Sequence, residues 1–182
     1  VRVKALLPGE TIESLAKADN TLFFTINNTA TSTVSLWKSD GTSAGSNLIQ
    51  SWPGLRILYP TAVNGNLYFT VTTISRNPAD LWKTDGTTAG TVMLKSAAYI
   101  ENLLDVNGTL FFTAAEDAIM YHRLWKTDGS VTGTVLLQDI SAGTGTTYLN
   151  NFFNANGTLY FNGINGAKGG ELWKSDGTET GT

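Results

Sequence analysis

Four aspartates sit in one recurring phrase. Asp40, Asp85, Asp128 and Asp176 are each followed by Gly, by Thr or Ser, and by a second Gly five residues after the aspartate. A carboxylate in a glycine-containing turn could serve calcium, which takes six to eight oxygens, usually from several acids at alternate positions. One carboxylate per turn falls short of that set. The simpler chemistry is an Asp side chain accepting backbone N–H bonds two residues on, while Gly takes positive φ. No cofactor is expected, and calcium is the one ion left with a claim.

Other catalytic parts are scarce. His122 is the only histidine and cysteine is absent, so Ser-His and Cys-His nucleophilic sites and zinc sites lose their usual groups. Two carboxylates flanking a sugar bond could still make a glycoside hydrolase. The acids outside the turns, among them Glu10, Glu13, Asp105, Glu116, Asp117 and Asp139, are dispersed along the chain. No catalytic residue is therefore assigned. "SAGTGTT" at 141 to 147 lacks the lysine and spacing of a phosphate-binding loop.

Aromatic residues offer a different chemistry. The segments 50–60, 96–102, 116–123 and 141–151 break the repetition and carry Trp52, Tyr59, Tyr99, Tyr121, His122 and Tyr148. Aromatic faces on loops stack on sugar rings or anchor a protein partner. These six are the candidate ligand-binding residues.

The elements that must position them follow from the repeat. Trp37, Trp82, Trp125 and Trp173 are 45, 43 and 48 residues apart. About seventeen residues before each stands a turn dipeptide: Asp19-Asn20, Asn64-Gly65, Asn107-Gly108 and Asn156-Gly157. Such pairs suit a type I′ hairpin turn, and an aromatic strand such as "LFFT" or "LYFT" follows each one. Each unit thus offers four short strands, which matches one blade of a β-propeller. The units run roughly 14–50, 57–95, 102–140 and 148–182, the last joined by 1–5.

The ends bear on closure. The last copy stops at Thr182, where a fourth strand would begin, and Val1–Lys4 resembles that strand. The expectation is one all-β domain, a four-bladed propeller whose N-terminal strand completes the last blade, since an unpaired edge is a liability. Two chains forming an eight-bladed ring, or an open array, are the alternatives, and homo-oligomers belong to both. Because neighbouring strand residues face opposite ways, Leu36 and Trp37 cover two faces of one sheet. The four tryptophans are therefore read as packing between blades, and the four turn aspartates as structural.

The totals exclude some partners. Net charge is −3, sequence pI about 5.0, and 15% of residues are charged, so no basic stripe is present to neutralise a nucleic acid. No apolar run reaches the roughly 20 residues of a membrane-crossing helix. The start at Val1 reads as a mature product or an excised segment.

The phrase "ELWKSDGTETGT" at 171 to 182 resembles the E-L-W-x-x-D-G-T-x-x-G-T repeat of large, mostly secreted or surface-associated bacterial proteins. The likeness covers all four units. Ser35, Asp80 and Arg123 replace the glutamate, and Ser46 replaces the closing threonine. The resemblance implies a propeller-like extracellular or cell-surface module and supplies no catalytic residue. The expected function is non-enzymatic binding or structure, with a carbohydrate or surface protein as partner. A propeller glycoside hydrolase and a self-assembling surface subunit are the alternatives.

Overall fold

The computed structural model describes residues 1–116, 122–138, 147–165 and 169–182. These residues form strands, turns and loops, with no helix among them. Four antiparallel sheets follow one another. The first holds β1 (Glu10–Ala18), β2 (Thr21–Asn28), β3 (Thr33–Ser39) and β4 (Asn47–Pro53) in chain order. The second holds β5 (Arg56–Val63), β6 (Asn66–Thr72), β7 (Ala79–Thr84) and β8 (Val92–Ala97). The third holds β9 (Tyr99–Val106), β10 (Thr109–Ala115), β11 (Arg123–Thr127) and β12 (Val135–Gln138). The fourth has three strands, β13 (Thr147–Ala155), β14 (Thr158–Asn165) and β15 (Gly169–Ser175). The first strands of successive sheets lie side by side, β1 by β5, β5 by β9 and β9 by β13, so they line the inner edge of the stack.

The repeated phrase is turn chemistry. Asp40 Oδ1 accepts from Thr42 N at 2.9 Å and Thr42 Oγ1 at 2.7 Å, and Thr42 Oγ1 accepts from Gly45 N at 2.9 Å. The other three copies repeat this with Thr87, Ser130 and Thr178. A Cβ on Gly45, Gly90, Gly133 or Gly181 would collide with the aspartate carboxylate, which is why the second glycine recurs. The closing hydroxyl, Ser46, Thr91, Thr134 or Thr182, pairs with Ser39, Thr84, Thr127 or Ser175 at 2.7–2.8 Å. The hydroxyl bond first, and the backbone N–H second, hold all four carboxyls below their ordinary 3.8.

The hairpin turns at Asn64-Gly65, Asn107-Gly108 and Asn156-Gly157 have positive φ at both residues. In the first unit only Asp19 does, at 49°. Asn20 stands where the other three units have glycine, and Asp19-Asn20 departs from the type I′ turn expected of it. The glycines here also make room. A Cβ on Gly65 would meet the Asp19 carboxylate, one on Gly108 the Asn64 amide and one on Gly157 the Asn107 amide. Asn64 Nδ2 donates to Gly108 O at 3.0 Å, and Asn107 Nδ2 to Gly157 O at 3.4 Å. A ladder thus runs from turn to turn across the sheets.

Both faces of a middle sheet are apolar, and each face has a neighbour. Leu36 clusters with Ile57, Leu67 and Phe69 of the second sheet; Leu81 with Leu110 and Phe112 of the third; Leu124 with Leu159 and Phe161 of the fourth. Trp82, Trp125 and Trp173 pack the other way, onto the sheet before. Phe112 stacks on Trp125 with centroids 6.3 Å apart, and Phe161 on Trp173 at 6.4 Å. Polar stitches reinforce the stack. Lys83 Nζ donates to Gly129 O at 3.2 Å and Lys126 Nζ to Gly177 O at 2.7 Å, each reaching the Asp-Gly turn of the next unit.

Trp37 faces away from the second sheet, where Lys4 Nζ lies 4.2 Å from its ring centroid. This corrects the expected seam. Val1–Lys4 does not pair with β15; Ser46 Oγ reaches Val3 O at 3.5 Å, beside the first sheet, and the fourth sheet stays three-stranded. Packing joins the first sheet to the second, the second to the third and the third to the fourth. On the outer faces Leu172 is 81% exposed and Leu15 64%.

Truncations in the stack measure its packing. Leu124→Ala should lower stability by about 2–5 kcal/mol and Phe112→Ala by about 3–5 kcal/mol in urea unfolding followed by tryptophan fluorescence. The exposed Val131 replaced by Ala should change it by less than about 0.5 kcal/mol. The turn carboxyls bind fewer protons folded than unfolded. Their contribution is complete above 3.8 and is lost as pH falls through the lower folded value. The stability gap between wild type and Asp128→Asn should therefore narrow as pH drops from about 6 to about 3; a constant gap would contradict the turn role.

Candidate functional site

Antiparallel strands in chain order sort the connections between two ends of the stack. The Asn-Gly and Asp-Gly turns join β1 to β2 and β3 to β4, and their counterparts, at one end. The loops joining β2 to β3, and those running from one sheet to the next, fall at the other. The repeated turns therefore occupy one end and the irregular segments the opposite one. Loops on a rigid frame are where specificity is carried.

Bulges in the inner strands aim side chains at this loop end. The β5–β6 register shifts between Leu58 and Thr61, the β9–β10 register opposite Phe111 and Thr113, and the β13–β14 register between Asn150 and Phe153. Tyr59, Asn102 and Asn151 sit in these shifts with φ of 55°, 57° and 57°. An extra residue in one strand bends it and redirects its neighbours. Asn102 Nδ2 then donates to Leu149 O at 2.9 Å, which ties the third inner strand to the fourth.

Tyr59 meets two charges. Arg76 Nη1 donates to the Tyr59 hydroxyl at 3.0 Å, and that hydroxyl donates to Glu101 Oε1 at 3.3 Å. Arg76 Nη1 lies 3.4 Å from the same oxygen. Burial first, then the Glu101 charge, raises the Tyr59 pKa above its ordinary 10.0, against the pull of Arg76. The phenol therefore keeps its proton and serves as donor. Arg76 is presented by a tight loop in which Thr73 Oγ1 donates to Asn77 O at 2.8 Å and Arg76 N to Thr73 O at 3.0 Å. Tyr99, Leu58 and Ile100 close in around the triad and leave no room for a water molecule among them. The Arg76 side chain is 57% exposed and that of Glu101 31%, so both remain open to a ligand.

The aromatic set extends along the same end. The rings of His122 and Tyr148 are 5.5 Å apart, and Tyr148 is exposed. His122 is buried. That burial lowers its pKa below 6.5, and the Glu101 charge acts the other way, so the imidazole is neutral near pH 7. Tyr59, Tyr99, His122 and Tyr148 thus belong to one end of three successive sheets. Tyr121 lies outside the described residues. Trp52 stands apart: it is 6% exposed and wedged edge-on against Phe69 at 5.7 Å and Trp82 at 5.6 Å. Its ring belongs to the packing between the first two sheets and leaves no face for a ligand.

The candidate acids are each engaged locally. Asp105 Oδ1 accepts from Gly108 N at 2.8 Å, Glu13 Oε1 from Asn27 Nδ2 at 2.9 Å, and Glu10 Oε2 from Leu7 N at 2.8 Å. Glu116 pairs with Lys95 at 2.7 Å; Asp117 and Asp139 lie outside the described residues. Among the described residues no group of three or more His, Cys, Asp or Glu side chains could hold a metal. Arg76 and Glu101 are the residues that sequence reasoning missed. Glu101 falls six residues before its turn, the place Glu13 holds in the first unit, and that alignment was the available signal.

Solved structures share this architecture. The chain superposes on acylaminoacyl peptidase of Pyrococcus horikoshii with a TM-score of 0.57 and 10% identity, over 91% of this chain and 26% of that one. Oligopeptidase B of Leishmania major gives 0.52 and 8%, over 94% and 32%. The β-propeller domain of the Trilobed protease from Pyrococcus furiosus gives 0.51 and 8%, over 93% and 58%. The fold is propeller-like. At these identities the likeness concerns fold alone, and the chain spans less than two thirds of each of these structures. No family model matches the chain, and no curated protein matches it by sequence.

The buried histidine of this propeller-like array makes a pH prediction. Its folded pKa is depressed, so its contribution is complete above 6.5 and is lost as pH falls toward the folded value. Wild type should lose urea resistance between about pH 7 and pH 5 more steeply than His122→Gln. A titration by NMR placing His122 at or above 6.5 would contradict this.

Proposed function

We propose that the chain is a non-enzymatic propeller module, part of a secreted or surface-associated protein, that binds a carbohydrate or another cell-surface ligand at its loop end. The observation that carries this reading is the Arg76–Tyr59–Glu101 bridge, flanked by Tyr99 and, further along the same end, the exposed Tyr148. A guanidinium and a carboxylate that are both partly exposed and side by side suit vicinal hydroxyls, which both donate and accept. Aromatic faces beside them suit the C–H face of a sugar ring. Glu101 is held by two donors, which fits a fixed acceptor for a ligand hydroxyl better than an acid that must give up a proton. The resemblance of the "ELWKSDGTETGT" phrase to repeats of bacterial surface proteins supports the location.

A glycan array, with a pull-down from surface extracts beside it, is the test. Binding should appear, and Arg76→Ala and Tyr99→Ala should each weaken it at least about tenfold, or about 1.4 kcal/mol. A blank array and an empty pull-down would overturn the binding role. Binding indifferent to both substitutions would overturn the assigned site.

A further inference from the structure

The fourth sheet turns outward the residues that the other three bury. Leu36, Leu81 and Leu124 are at most 1% exposed, whereas Leu172, also just before tryptophan, is 81% exposed. Beside it Phe153, Tyr160 and Phe161 line an open concavity of about 500 Å³. The first sheet presents the reciprocal face. Leu67, Leu110 and Leu159 are at most 1% exposed, but Leu22, their counterpart, is 36% exposed. The polar stitch is also unfinished at both ends. Lys83 and Lys126 reach the next Asp-Gly turn, while Lys174 reaches none among the described residues. A Cβ on Gly41, the first such turn, would meet nothing within 4 Å.

The N-terminal segment identifies what is missing. Lys95 Nζ lies 3.8 Å from the Trp125 centroid, and Lys4 Nζ 4.2 Å from that of Trp37. Lys95 belongs to β8, the fourth strand of the sheet before Trp125. Lys4 therefore stands where the fourth strand of a sheet preceding β1–β4 would stand. At the other end, β15 is an edge with no fourth strand beside it among the described residues.

We infer that a second copy of this chain seats its first sheet on the fourth sheet of this one, and the reverse, so that two chains close a single ring of eight sheets. The junction continues the interface already repeated three times within the chain. Each copy's Val1–Lys4 then completes the last sheet of the other. By the register of β7 with β8, in which Leu81 faces Lys95 and Lys83 faces Val92, Lys4 would face Leu172 and Val1 would face Lys174 of the other copy. The chain's own first sheet is not the occupant, because both end faces are open at once in one molecule. Eight sheets fall within the four to eight blades of known rings. The turn ladder stops at this junction, since Asn20 carries a Cβ where Gly65, Gly108 and Gly157 leave room. The seam rests on the apolar faces, Lys174 and the borrowed strand.

Sedimentation should give twice the 19.5 kDa chain mass, and Leu172→Glu should shift dissociation at least about tenfold toward monomer. Leu172 is exposed in the single chain, so far-UV circular dichroism and tryptophan fluorescence should show that the variant folds. Because the chain lacks cysteine, Leu22→Cys and Leu172→Cys proteins can be mixed, and a disulfide between them should form. A wild-type monomer at all concentrations, a mass beyond two chains, or a Leu172→Glu dimer of unchanged strength would overturn the proposal. So would a Leu22→Cys/Leu172→Cys double variant that closes its disulfide within one chain.

Discussion

Apolar cover on both sides of each sheet is the constraint on which everything else rests. A strand that reads Leu-Phe-Phe or Leu-Trp points large apolar groups both ways, and water penalises either face left bare. Only a stack satisfies such a strand. The second and third sheets meet the demand completely, with Leu67, Phe69, Leu81, Leu110, Phe112 and Leu124 at most 1% exposed. The first and fourth meet it on one side. The uncovered Leu172 and Leu15 follow from the same pattern that builds the middle of the molecule.

That constraint separates architecture from recognition. Intersheet packing is supplied by residues repeated in each unit, and the turns that set strand spacing are repeated with them. The Asp carboxylates, engaged with Thr or Ser at 2.7–2.9 Å, fix one end of the stack. The other end is free to vary. There the inner-strand bulges bring Tyr59, Glu101 and the loop residue Arg76 together across two sheets. The group needs two sheets, because Tyr59 and Arg76 belong to the second and Glu101 to the first strand of the third.

Local chemistry made the units legible. Asn-Gly and Asp-Gly turns declare themselves in four or five residues, and the alternation of Leu with Phe or Trp gives both faces of a strand. Closure was not legible, because the angle between sheets comes from the combined shape of many side chains and from no motif. Val1–Lys4 was likened to the fourth strand of the last unit, but in this chain it forms no strand and joins no sheet. Tyr59 adopts positive φ without being glycine or asparagine, so nothing in the sequence marks the bulge that redirects it, whereas Asn102 is of a type that takes this conformation. Trp52 misled for a related reason: a loop-like stretch, "QSWPGLRILYP", contains the end of β4, which carries the ring into the core.

Amide hydrogen exchange in dilute solution tests the dependence on two-sided cover most directly. Sheets covered on both faces should open only with the whole molecule, and sheets covered on one face should open locally at lower cost. The account predicts that amides of β6 and β10 exchange at the rate of global unfolding, while those of β14 and β15 exchange faster and slow down as concentration rises. Equal protection across all four sheets, independent of concentration, would contradict it.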